Sequence, residues 1–183
     1  MTEEEQFTLL FRRNYPRVLA FASRRTEESR AHDVVAETFA TAWRHLGQLP
    51  EDPLPWLYRT ARNCLSNDYR GTRRQSRLAD RLAGHRAEPV PDHAVQVVED
   101  ARLRSALAGL SGSDREALFL VAWEGLDQTA AALVLDCSVP AFKARVHRAR
   151  KRLARLLVEA DADAQPIQLP DRLLAGDRVR EEF

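Results

Sequence analysis

Apolar side chains recur along this chain at steps of three and four residues and almost never in strict alternation, the spacing of helices packed on one face. Ala31, Val34, Val35, Thr38, Phe39, Ala42, Trp43 and Leu46 form one continuous apolar stripe and predict a helix over 31–46. Phe7, Leu10 and Phe11 mark a helix before it. Val18, Leu19 and Phe21 follow Pro16, which is expected to open a new helix, since proline suits a first turn better than an interior. Pro50, Pro53 and Pro55 punctuate a loop, after which Leu57, Ala61, Cys64 and Leu65 mark a helix starting near Pro55.

From Gly84 to Asp100 the periodicity lapses, and Glu88, Pro89, Pro91, Asp92, Glu99 and Asp100 give the stretch the composition of an acidic linker. A second helical block runs from Ala101 to about Glu159. Within it Ser113 with Glu116 reads as a capping box, and Leu118, Val121 and Ala122 carry the apolar face of a helix ending near Gly125. Asp127 is the expected N-cap of the next helix, with Thr129, Ala132, Leu133 and Leu135 behind it. Asp136 falls in a turn that calls for positive φ. Ser138 caps a last helix with Pro140 in its first turn, and Phe142, Val146, Ala149, Leu153 and Leu156 form its buried stripe. After Ala160 the chain turns acidic and is broken by Pro166 and Pro170, which reads as a flexible tail despite Leu173, Leu174, Val179 and Phe183.

The fold class is therefore all-α: a helical bundle in 1–83, a flexible acidic linker in 84–100, a helix-turn-helix domain in 101–159 and a tail in 160–183. No apolar run reaches the length that spans a bilayer, and the acidic start Met1-Thr2-Glu3-Glu4-Glu5 does not resemble a secretory signal, so a cytoplasmic location is expected. Two cysteines, Cys64 and Cys137, do not make a disulfide framework or a zinc site. No phosphate loop, His-Glu-x-x-His or nucleophile–base pairing occurs, so neither an enzyme nor a cofactor is expected.

Charge changes the picture. The formal net charge of +1 conceals two basic concentrations. The last helix carries Lys143, Arg145, Arg148, Arg150, Lys151, Arg152 and Arg155 with no acid between Ala141 and Leu157. A short helix, a tight turn and a basic second helix is the geometry that enters a DNA major groove, and a plain solvated face is the competing reading. The other concentration is 56–81, where seven arginines face only Asp68 and Asp80, with Trp56, Asn63, Asn67 and Tyr69 interleaved. Cations that follow a backbone, beside amides and aromatics, suit unpaired nucleic acid, although Trp56 and Tyr58 also suit a core. Asp33 and Glu37 stand one turn apart on the polar face of 31–46. A partner-docking face and simple solvation both fit them.

With these residues in place the chain resembles the extracytoplasmic-function (group four) sigma factors of bacterial RNA polymerase. Phe7 to Phe21 is similar to the family's opening helices. Asp33-Val34-Val35-Ala36-Glu37-Thr38-Phe39, continuing to Trp43-Arg44, resembles the helix that docks on the β′ clamp helices. Trp56-Leu57-Tyr58-Arg59-Thr60-Ala61-Arg62-Asn63 resembles the start of the −10-reading segment. Gly125-Leu126 with Phe142 to Arg150 resembles the −35-reading helix-turn-helix. Ala36 stands where the family usually has Gln, Ala130 where it has Glu, Asp136 where it has Gly, and Pro140-Ala141 where it has Gly-Thr.

The resemblance implies a non-catalytic initiation factor, monomeric when free. It would bind core polymerase (β′ clamp helices and β subunit) through Asp33, Val34 and Glu37. Arg59, Arg62, Asn63, Asn67, Asp68, Arg70, Arg73 and Arg74 would take unpaired −10 bases. Ser138, Ala141, Lys143, Ala144, Arg145, Arg148 and Arg152 would meet −35 duplex. Promoter DNA is the implied ligand, and an anti-sigma factor an implied partner. The rival reading is a stand-alone helix-turn-helix regulator, against which the arginine-rich stretch at 59–81 counts, since dimer interfaces are depleted in such charge.

Overall fold

A computed structural model describes residues 2–66, Val95 and 100–160, and all regular structure among the described residues is helical. The chain divides into two compact units, Met1–Val97 and Val98–Phe183. The expected linker, apart from Val95 and Asp100, and the expected tail, apart from Ala160, which ends the last helix, lie outside the described residues.

In the first unit, α1 spans Glu3–Ser23 and α2 spans Glu28–Arg44; a 3₁₀ turn at Leu46–Gln48 follows, and residues 54–66 form α3. Thr2 starts α1 with a full capping box: Glu5 N–H donates to Thr2 Oγ1 at 3.2 Å, and Thr2 N–H donates to Glu5 Oε2 at 2.8 Å. The expected break at Pro16 does not occur, because Pro16 lies inside α1. A proline there forfeits one backbone hydrogen bond. Packing on both sides of it outweighs that loss: Phe11 and Tyr15 sit against Phe39, at 4.8 and 6.5 Å between ring centres, and Val18, Phe21 and Ala22 are fully buried.

The inward stripe of α2 is close to the one read from its spacing, with Ala31, Val34, Val35, Thr38, Phe39 and Ala42 buried. Thr38 satisfies its hydroxyl by donating to Val34 O at 2.7 Å. Trp43 departs from expectation. It is 43% exposed, and its ring meets Phe7 edge-on at 5.0 Å near the end of the stripe. Tyr58 of α3 is buried and stacks on Phe21 at 4.7 Å, which fastens α3 to α1.

In the second unit α4 spans Ala101–Ala108, α5 Gly112–Ala122, α6 Gln128–Val134 and α7 Val139–Ala160. The N-cap of α5 is Ser111, which accepts from Asp114 N–H at 3.2 Å; the Ser113 box is a correction. Ser113 and Glu116 have the right spacing, but the helix begins two residues sooner, at Gly112. Four consecutive residues of α5, Ala117 to Leu120, are buried, so it is enclosed by α7 and α6 rather than presenting one stripe. Arg115 Nη1 donates to Leu107 O at 3.0 Å and Leu110 O at 3.2 Å, closing the C-terminal end of α4.

Candidate functional site: two charged helix faces

The turn between α6 and α7 is built by local chemistry. Asp127 caps α6 by accepting from Ala130 N–H at 2.7 Å. Leu135 ends the helix, and Asp136 takes φ 54°, the left-handed conformation its place in the sequence called for. Cys137 N–H then reaches Ala132 O at 3.1 Å and Asp136 N–H reaches Leu133 O at 3.2 Å, a Schellman closure with Asp in the seat glycine usually takes. Ser138 Oγ accepts from Ala141 N–H at 3.4 Å at the start of α7. Before α6, Gly125 at φ 65° lets Leu126 N–H bond Leu120 O at 3.1 Å.

These turns fix which side of α7 faces inward. Phe142, Val146, Ala149, Leu153 and Leu157 are buried; Leu156, assigned to that stripe from spacing, is half-buried, and Leu157 takes its place. Leu133, expected behind Asp127, is 42% exposed instead, with Ala131 and Val134 turned inward. The outward side carries Ser138, Ala141, Lys143, Ala144, Arg148 and Arg152, all exposed, with Arg145 half-buried beside them. All seven residues expected at −35 duplex therefore keep solvent access on the first four turns of one helix. The first carboxylate met along α7 is Glu159, 3.9 Å from Arg155, so the basic run has no acid until its far end.

In the first unit, α2 presents a pair of carboxylates. Asp33 and Glu37 lie on the outward side of α2, and their side chains are 68% and 52% exposed. Sequence reasoning paired them with each other and missed Arg30, whose Nη1 sits 3.5 Å from Asp33 Oδ2 and 3.1 Å from Glu37 Oε1. The signal was present: Arg30 precedes them by three and seven residues, on the same helix face. Val34 is a correction. It is wholly buried, so it supports this face from beneath and is not available for a partner to touch.

On α3, Arg59 and Arg62 are half-buried and Asn63 is exposed, one turn after Arg59. Trp56 is half-buried, and Thr60 donates to Trp56 O at 2.9 Å. Asn67, Asp68, Arg70, Arg73 and Arg74 lie outside the described residues. No cluster of His, Cys, Asp and Glu fit to hold a metal occurs among the described residues, and no described helix is long and apolar enough to cross a membrane.

Comparison with known proteins finds a family match in each unit. Residues 10–75 match the family model of Sigma-70 region 2, and residues 100–153 match that of Sigma-70 region 4. The ECF RNA polymerase sigma factor EcfG of Rhodopseudomonas palustris is 34% identical over 166 residues, covering 88% of this chain and 91% of the relative. The sigma factor CnrH of Cupriavidus metallidurans is 39% identical over 150 residues, 75% of this chain and 77% of that protein. Among solved structures, the sigma factor RpoE of Bartonella quintana, determined with the anti-sigma factor NepR, aligns with a TM-score of 0.60 at 29% identity. That alignment covers 85% of this chain and 98% of RpoE. CnrH in complex with the cytosolic domain of CnrY aligns at 0.55 and 31%, covering 85% and 89%. With both regions present in order and relatives matched over most of their length, the chain belongs to the extracytoplasmic-function sigma factors, the subunits that direct bacterial RNA polymerase to particular promoters.

Proposed function

We propose that the two charged faces divide the work of initiation between the units: the acidic face of α2 holds core polymerase, and α3 and α7 read DNA. The observation that carries this division is the contrast in outward charge. Asp33 and Glu37 stand exposed on one helix, and an uninterrupted basic run covers another. A basic surface on the polymerase would attract the first and a phosphate backbone the second.

On α3, Arg59 and Arg62 would follow the backbone of the unpaired non-template strand while the exposed amide of Asn63 meets a base edge. Asn67, Asp68, Arg70, Arg73 and Arg74 belong to the same reading from sequence. Capturing an unstacked base offsets an opening cost of a few kcal/mol. On α7, Ser138, Ala141 and Ala144 would lie at base edges, with Lys143, Arg145, Arg148 and Arg152 on phosphates and guanine.

The work is binding throughout, with no catalytic residue and no cofactor, and its place is the cytoplasm. RpoE was solved with the anti-sigma factor NepR and CnrH with the cytosolic domain of CnrY, and the first of these supports an anti-sigma factor for this chain also. A stand-alone regulator is not favoured, because it leaves the region 2 match unexplained.

The experiment is capture of core RNA polymerase by the wild-type chain and by Asp33→Arg/Glu37→Arg. Two reversed charges at a docking hot spot are expected to weaken capture by about 100-fold. Equal capture by both proteins would remove α2 from the polymerase interface.

A further inference from the structure

The second unit holds a groove of about 960 Å³ between the end of α5, the start of α6 and one side of α7. Its apolar part includes Val121 and Leu126, both half-buried, and Ala154, exposed. Its rim carries Lys143, His147 and Lys151, exposed along α7. We propose that this groove is the docking site of the chain's own segment 161–183, and that the docked segment covers part of the DNA-reading face.

Three observations select that occupant. The first is charge. Residues 161–183 carry six carboxylates against three arginines, while the groove is lined by Lys143, Arg150 and Lys151 against one carboxylate, Asp127. The second is apolar spacing. Ile167, Leu169, Leu173 and Leu174 are the kind of side chains that an apolar floor of this size receives. The third is reach. From Ala160 back to Phe142 is 18 residues of helix, about 27 Å. The 13 residues from Ala160 to Leu173 extend to about 43 Å. The segment is thus long enough to return along α7, and its tether raises its local concentration to about the millimolar range.

The docking has a consequence for DNA. Lys143 lines the groove and also belongs to the face assigned to −35 duplex, so occupant and duplex compete for it. That consequence rests on the −35 reading; the docking itself does not.

The test uses a fluorescein-labelled peptide of residues 161–183, the full chain and the chain ending at Ala160. By fluorescence anisotropy the shortened chain binds the peptide saturably. The full chain binds it about tenfold more weakly, because its own segment already occupies the site. Lys151→Glu in the shortened chain and Leu173→Ser/Leu174→Ser in the peptide each weaken binding several-fold, with unchanged circular dichroism showing that the Lys151→Glu protein is folded. A labelled duplex of mixed sequence binds the shortened chain about threefold more tightly than the full chain. Absence of saturable peptide binding overturns the docking, as does binding indifferent to both substitutions. Self-association of the shortened chain through the groove, seen as a concentration-dependent mass that Lys151→Glu abolishes, assigns the face to a second copy and overturns it too. Peptide binding with equal duplex affinity keeps the docking and removes the competition.

Discussion

Two helices of this protein solve the same packing problem and then diverge. In α2, Ala31, Val34, Val35, Thr38, Phe39 and Ala42 turn inward; in α7, Phe142, Val146, Ala149, Leu153 and Leu157 do the same. Both stripes follow helical spacing, and both helices are held mainly by apolar burial. The outward sides differ in their charge. On α2 two carboxylates are bridged by Arg30, so charge is partly settled within the helix. On α7 like charges accumulate along its length without an intervening acid. Like charges one turn apart cost stability, so the packing of α7 must carry a repulsion that the packing of α2 does not. Such a run is what the proposed DNA-reading role of α7 requires.

The largest effect expected is on the packing side of this comparison. Phe142→Ala removes a fully buried ring from the centre of the second unit and should cost about 3–5 kcal/mol. In urea, the unfolding of the second unit moves to much lower denaturant while the signal of the first unit stays in place. A single shared transition displaced as a whole would show that the units unfold together.

Next in size is the outward side of α7. Lys143→Glu should weaken duplex binding roughly tenfold at low salt and lower the salt slope by about one or two, uniformly across sequences. Core polymerase capture by the same variant should be unchanged. A loss confined to one promoter sequence would instead make Lys143 a base reader.

Much of this was legible before the structure. The stripes of α2 and α7, the Asp127 cap, the positive φ at Asp136 and the Ser138 cap all follow from local rules: helical period, a short polar side chain before a helix, a turn in need of a left-handed residue. What stayed hidden depends on distant neighbours. Pro16 reads as a helix start until Phe39 is seen packing against the turns before it. Ser113, with Glu116 three residues on, reads as the cap, yet the helix begins at Gly112 with Ser111 as its cap, and Arg115 ties it to the end of α4. Leu156 and Leu157 are both apolar, and a helix of 3.6 residues per turn drifts, so by the fourth turn spacing alone no longer separates them. At the candidate sites the residue types were legible and the exposures were not: Val34 sits in an acidic motif yet points into the core.

A smaller effect separates cap from surface. Asp127→Ala removes the oxygen that accepts from Ala130 N–H, costing about 1 kcal/mol in the second unit. Thermal unfolding monitored by circular dichroism reads it as a lower midpoint for that unit alone. An unchanged midpoint would mean that water replaces the carboxylate at no cost.

The smallest effect bears most directly on the comparison, because its sign is informative. Arg30 holds Asp33 and Glu37 on an exposed face, where an ion pair contributes on the order of 0–1 kcal/mol. Arg30→Ala should therefore leave stability nearly unchanged. Its effect on polymerase capture has the opposite sign from that of Asp33→Arg/Glu37→Arg. With the bridge gone, both carboxylates are released from a cation that a basic partner must otherwise displace, and capture should tighten about two- to threefold at low salt. Added salt should erase the gain, since it screens exposed charges over about one Debye length. If capture weakens instead, Arg30 is itself a contact, and the outward side of α2 is a mixed-charge surface rather than an acidic one.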